Sequence, residues 1–205
     1  MTQGRETIRR TLDELARLAG QVQEAMTPAV EDVANLVFQA LQDGRRLFFC
    51  GNGGSAADAQ HLAAEYVVRF RNDRQALPAL ALTTDTSVLT AAGNDLGFQK
   101  VFARQVEALG GNGDLLFLHS TSGESENLLE AARAGRKRGM ITVAMLARGG
   151  GRLAGEVDRA LVVPTDSTAR AQEIHLALGH GICELVEALL EEDSGSSSAT
   201  EGGEA

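Results

Sequence analysis

The spacing of apolar residues changes character along the chain. Between Glu6 and Glu24, Ile8, Leu12, Leu15, Leu18 and Val22 recur every three or four positions, the period of a helix that buries one face. Thr27-Pro28 predicts the start of a second helix, with Thr27 as its cap and Pro28 in the first turn, where a missing N–H is harmless. Its stripe is Val30, Val33, Leu36, Val37, Ala40 and Leu41, and it ends near Gly44. The pattern then shifts to short runs that are apolar throughout, at 46–50, 79–83, 114–119, 141–146 and 159–163. Helical stretches separate them: 56–69, a segment stopping at Gly93-Asn94-Asp95, 98–109, a segment ending at Gly139, and a long final one over 167–191. Strands apolar on both faces, alternating with helices, predict a parallel sheet covered on both sides. The expected fold class is α/β: a three-layer α/β/α sandwich with a five-stranded parallel sheet, two N-terminal helices and a long C-terminal helix. One domain over 1–192 is expected, with a helical N-terminal part over about residues 5–43. From Asp193 the Ser/Gly/Glu-rich run to Ala205 predicts a disordered tail.

Composition narrows the function. A chain of 205 residues, 43% hydrophobic, suits one domain whose core holds without disulfides. Its 19 basic against 28 acidic residues give a net charge of −9, and aromatics are 4% with no Trp. A basic face and base-stacking platforms are therefore missing, so no nucleic-acid partner is expected. No apolar run approaches the ~18 residues of a membrane span, and Met1–Leu18 mixes charges where a signal peptide is apolar. Cys50 and Cys183 lie in apolar surroundings and form no framework, which predicts a reduced, cytoplasmic setting.

Two loops follow strands, where an open parallel sheet binds its ligands. Gly51-Asn52-Gly53-Gly54-Ser55 lets backbone approach a ligand and turns N–H groups outward at a helix start. Gly51, Gly53 and Ala56 also satisfy G-x-G-x-x-A loosely, with Asp85 as a late candidate for the ribose acid. A tight strand-to-helix turn accounts for the glycines equally well. No Gly-Lys-Ser/Thr follows, which excludes a P-loop. The second loop is more specific: Ser120, Thr121, Ser122 and Ser125 surround Gly123 at a helix mouth. Capping uses one or two such hydroxyls, and four suit the three acceptor oxygens of a phosphate monoester.

His61 and Glu65 are four apart and share a helix face. Gln172, Glu173, His175 and His180 lie on the last helix. Imidazole, carboxylate and amide oxygen together suit zinc or a similar divalent ion, although an exposed ion pair has the same His-x-x-x-Glu spacing. Gln172 and His180 are about 12 Å apart along one helix, so a site using both predicts a composite in which a second subunit lends one residue.

Taken together, Cys50-Gly-Asn-Gly-Gly-Ser-Ala-Ala-Asp-Ala-Gln-His61 with Glu65, Ala92-Gly-Asn-Asp-Leu-Gly-Phe98, Ser120-Thr-Ser-Gly-x-Ser125 and Gln172-Glu-Ile-His175 with His180 resemble the phosphoheptose isomerases of the sugar isomerase (SIS) fold. The resemblance runs from about residue 5 to 190. It implies an aldose–ketose isomerase that converts D-sedoheptulose 7-phosphate to D-glycero-D-manno-heptose 7-phosphate through an enediol, the first step towards nucleotide-activated heptose. It implies a homotetramer with active sites between subunits and one zinc per subunit, held by His61, Glu65, Gln172 and His180. Glu65 would be the base and His180 the acid. Asn52, Gly53, Gly54, Ser55, Glu65, Asn94, Asp95 and Gln172 would contact the sugar, and Ser120, Thr121, Ser122 and Ser125 its phosphate. A metal bound to Glu65 lowers its pKa and weakens it as a base. His119 departs from the pattern, standing where a smaller or aliphatic residue is familiar. Asp166 and Arg170, in a short variant of the segment before Gln172, have no role implied.

Three rivals differ in chemistry. Regulators of the same fold that associate with the bacterial replication initiator resemble the chain at Ala56–His61 and Ser167-Thr-Ala-Arg170, but lack the residues matching Glu65 and His180. An isomerase of another sugar phosphate would differ in pocket depth. A nicotinamide-dependent dehydrogenase has no use for the hydroxyl loop and needs a better-placed ribose acid.

Overall fold

The structure, a computed structural model, describes residues 2–200. Five strands form one parallel sheet: β1 (Leu47–Gly51), β2 (Ala79–Ala81), β3 (Leu115–Ser120), β4 (Ile141–Leu146) and β5 (Arg159–Val162). Their order is β2-β1-β3-β4-β5. β1, β3 and β4 are almost wholly buried, as strands covered on both faces must be. β2 and β5 are the partly exposed edges.

Alternation along the strands divides the core in two. Leu47, Phe49, Leu115, Phe117, Val143 and Met145 pack towards α1 (Thr2–Gln42), α2 (Gly54–Val67) and α6 (Thr168–Thr200). Phe48, Cys50, Leu116, Leu118, Ala144 and Leu146 pack towards α4 (Ala103–Leu109) and α5 (Glu126–Lys137), with Ala92 of α3 (Thr86–Asp95). The α/β/α sandwich is therefore as expected.

Three details correct the sequence reading. The two N-terminal helices are one 41-residue helix, α1, with Pro28 inside it. Thr27 does not cap: its hydroxyl donates to the Gln23 carbonyl at 2.6 Å. Leu18, Val22, Met26, Val33, Ala34 and Val37 form one buried stripe across Pro28, so packing outweighs the lost backbone bond. The helix expected over 98–109 begins as a separate 3-10 turn, Phe98–Lys100, entered through Gly97 at φ 88°. At the other end α6 runs on to Thr200, into the stretch read as a disordered tail. Extending a packed helix by one residue costs far less than starting one. Residues 201–205 lie outside the described residues.

Candidate active site

The strand order reverses direction at β1, so β1 and β3 leave a crevice at their carboxyl ends, and Gly51 pairs with His119 there. Both candidate loops open into that crevice. At Gly51 a Cβ would stand 2.4 Å from the Ser55 carbonyl oxygen, and Gly53 has φ 55°, so the turn needs its glycines. Ser55 is buried. In the second loop Ser120 and Ser122 accept hydrogen bonds from the N–H groups of Gly123 and Glu124, at 3.0 and 3.2 Å. Their own hydrogens remain free to donate. Ser125 sits at the N-cap of α5 without a side-chain capping bond. Arg152 fastens the loop from outside, donating to the Glu124 carboxylate from its backbone N–H and Nε at 3.0 and 2.9 Å.

On the α2/α6 side three side chains meet. His61 Nε2 lies 2.8 Å from His180 Nε2 and 3.2 Å from Glu65 Oε1. One ligand atom from each of the three lies within 4.8 Å of the other two. Two imidazole nitrogens and a carboxylate oxygen converging on one point fit a divalent cation with an open position left over.

A family model for the SIS domain matches residues 12–147. A phosphoheptose isomerase from Roseiflexus sp. (strain RS-1) is 52% identical over 83% of this chain and 86% of its own. One from Aquifex aeolicus is 46% identical over 92% and 99%. The solved structure of phosphoheptose isomerase GmhA from Neisseria gonorrhoeae has a TM-score of 0.85 and 41% identity, covering 90% of this chain and 98% of that one. The chain is a phosphoheptose isomerase-family SIS protein.

Against that family's expected site the geometry is uneven. His61, Glu65 and His180 come together within one chain, while Gln172 stands eight residues before His180 on α6. Its carboxamide lies against Gly54, where a Cβ would meet Nε2 at 2.5 Å, two helical turns from His180. Asn94 and Asp95 are exposed at the end of α3, and their only side-chain bond among the described residues is to each other, at 2.7 Å. Asp85 caps α3, accepting from the Val88 N–H at 3.0 Å, and is no ribose acid. Asp166 is exposed, while Arg170 donates to the Thr11 carbonyl of α1 at 2.9 Å and pairs with Glu173 at 3.0 Å.

Other residues at the site escaped the sequence reading. Asp58, one turn before His61, has a buried Oδ2 with no partner among the described residues, and burial raises its pKa against the pull of His61. Phe70 stacks on the His180 ring, with centroids 5.3 Å apart at 24°. Its loop hangs on buried Glu187, which accepts from the N–H groups of Phe70, Arg71 and Asn72 and from Arg74 Nε at 2.9–3.1 Å. Arg74 in turn donates to the Glu65 carbonyl at 2.7 Å. Asn127, buried on the first turn of α5, exchanges two hydrogen bonds with Asn52. Only the tertiary packing reveals these partners; the sole local signal was Asp58 at i, i+3 from His61.

Proposed function

We propose that the chain is a sedoheptulose 7-phosphate isomerase, forming D-glycero-D-manno-heptose 7-phosphate as the opening reaction of nucleotide-activated heptose synthesis. The observation that carries this reading is the meeting of His61, Glu65 and His180 within 4.8 Å in a chain of this family. A fold-only regulator has no need of such a cluster.

The reaction moves a carbonyl from C2 to C1. The Glu65 carboxylate takes the C1 proton to form an enediol, and the His180 imidazole passes protons to the oxygens and to C2. The hydroxyls of Ser120, Thr121, Ser122 and Ser125, with the N-terminus of α5, hold the phosphate and so fix the sugar against that pair. Asn52, Gly53, Gly54 and Ser55 line the neighbouring loop. The cation fitting His61, Glu65 and His180 is zinc in this reading, and when bound it supplies polarisation of the carbonyl and stabilisation of the enediolate charge.

A homotetramer with shared sites accounts for three features. Gln172 and His180 are about two turns apart along α6, and in a shared site a second copy lends one of them. Asn94 and Asp95 reach substrate across a subunit boundary. Ile8 and Leu12, 62% and 58% exposed on α1, are then covered. No helix among the described residues is long and apolar enough to cross a membrane, and both cysteines are free and buried, which suits the cytoplasm.

Turnover of sedoheptulose 7-phosphate by purified protein, metal-stripped and then with zinc restored, tests the reading alongside Glu65→Gln. Turnover that falls about 100-fold or more in the variant supports it. Absence of turnover with or without zinc overturns it in favour of another sugar phosphate or the regulatory relatives.

A further inference from the structure

Asn52 Nδ2 donates to Asn127 Oδ1 at 3.0 Å, and Asn127 Nδ2 donates to Asn52 Oδ1 at 2.8 Å. Asn127 is 3% exposed, and Asn52 is half-buried at the crevice. A carboxamide has two N–H hydrogens and two acceptor lone pairs. The pairing uses one of each on both residues and leaves Asn52 with a single N–H and a single lone pair to offer. Rotating the Asn52 amide alone by half a turn would set nitrogen against nitrogen and oxygen against oxygen, breaking both bonds, so the pair fixes the plane of the Asn52 amide and ties its polarity to that of Asn127 before substrate arrives.

We infer that Asn127 is a positioning residue for the isomerisation, holding the plane of the Asn52 amide towards the sugar and holding the sugar loop at a set distance from the phosphate loop. The inference rests on the reading of the site as a sugar-phosphate isomerase. Asn52 belongs to the loop after β1, and Asn127 to the helix whose N-terminus carries Ser125. The two loops leave adjacent strands but share no backbone hydrogen bond beyond the β1–β3 register, which ends at Gly51 and His119. The amide pair is the side-chain link that spans them past that point. Asn127 itself is too deeply buried to meet the substrate, so it acts through Asn52. Groups fixed in advance need no reorganisation in the transition state, and a shift of about 1 Å at a remote support is enough to cost about 100-fold in rate.

The test is a double-mutant cycle on sedoheptulose 7-phosphate turnover with Asn52→Ala, Asn127→Ala and the pair, each with its thermal midpoint. Asn127→Asp has the same shape and keeps an acceptor for Asn52 Nδ2, but sets an oxygen against Asn52 Oδ1; it replaces Asn127→Ala in the cycle if the alanine variant fails to fold. The expected result is a kcat about tenfold or more lower for the Asn127 variants, and a double variant no slower than Asn52→Ala alone. Losses that multiply in the double variant, or an Asn127 variant with full kcat and only a lowered midpoint, overturn the inference and leave the isomerase reading standing. A wild-type protein without turnover overturns that reading, and this inference with it.

Discussion

His119→Leu is expected to stabilise the protein, and increasingly so in acid. His119, the last residue but one of β3, faces the α2/α6 side, 1% exposed, beside a small cavity lined by Phe49, Leu62, Tyr66, Phe117, Met145, Gly179 and Ile182. Neither ring nitrogen has a hydrogen-bond partner among the described residues. The ring packs on Phe49 and His175, at centroid distances of 6.3 and 6.5 Å. Leaving buried polar atoms unpaired costs about 1–3 kcal/mol, and leucine removes that cost at pH 7. Burial, helped by the neighbouring His175, also lowers the His119 pKa from 6.5 to about 3. A histidine with a depressed folded pKa leaves the unfolded chain holding the extra proton, so stability falls as the pH drops below 6.5. At pH 5 the penalty from this group is about 2 kcal/mol. The variant's advantage should therefore grow from about 1–3 kcal/mol at pH 7 to about 3–5 kcal/mol at pH 5. Denaturant unfolding at both pH values and one protein concentration measures it. His175, whose pKa burial also lowers, is present in both proteins and largely cancels. A variant no more stable at pH 7, with an advantage that does not widen at pH 5, would show that the buried His119 ring carries no such cost.

Three further outcomes follow from the packing. Gly123 has φ 67°, and a Cβ there would stand 1.9 Å from the Gly150 carbonyl oxygen, so Gly123→Ala should displace the phosphate loop and raise KM for sugar phosphate about tenfold or more, read by steady-state kinetics. Glu187→Gln leaves Arg74 without its buried carboxylate and should cost about 3 kcal/mol in denaturant unfolding at pH 7. Burial raises the Glu187 pKa, but four hydrogen bonds outweigh it and hold it below 4.5; the wild type's advantage should therefore shrink as the pH falls under that value, and an advantage that holds at pH 3 would count against it. Cys50 and Cys183 are buried, with thiols pushed upward in pKa (Cys183 to about 12), so a thiol reagent should label neither in the native protein and both after unfolding.

Much of this protein is legible along the chain because its signals are local. Apolar runs such as Phe48–Cys50 and Leu115–Leu118, alternating with helical stretches, read as strands covered on both faces, and the glycine loop and the four hydroxyls fall at the strand ends, where a parallel sheet binds its ligands. His61 and Glu65 share a helix face by period alone. The chain could not show that Pro28 lies inside one helix, because the deciding force is a stripe from Leu18 to Val37 packed on a distant element. Nor could it show that His180 meets His61 across 119 residues of sequence, that Phe70 covers His180 through the grip of Glu187, or that Asn127 pairs with the amide of Asn52. Periodicity and turn chemistry act over a few residues and are written in order. Which polar groups face one another is decided by how α6 and α5 dock on the sheet, and that depends on the summed packing of both cores rather than on any single segment.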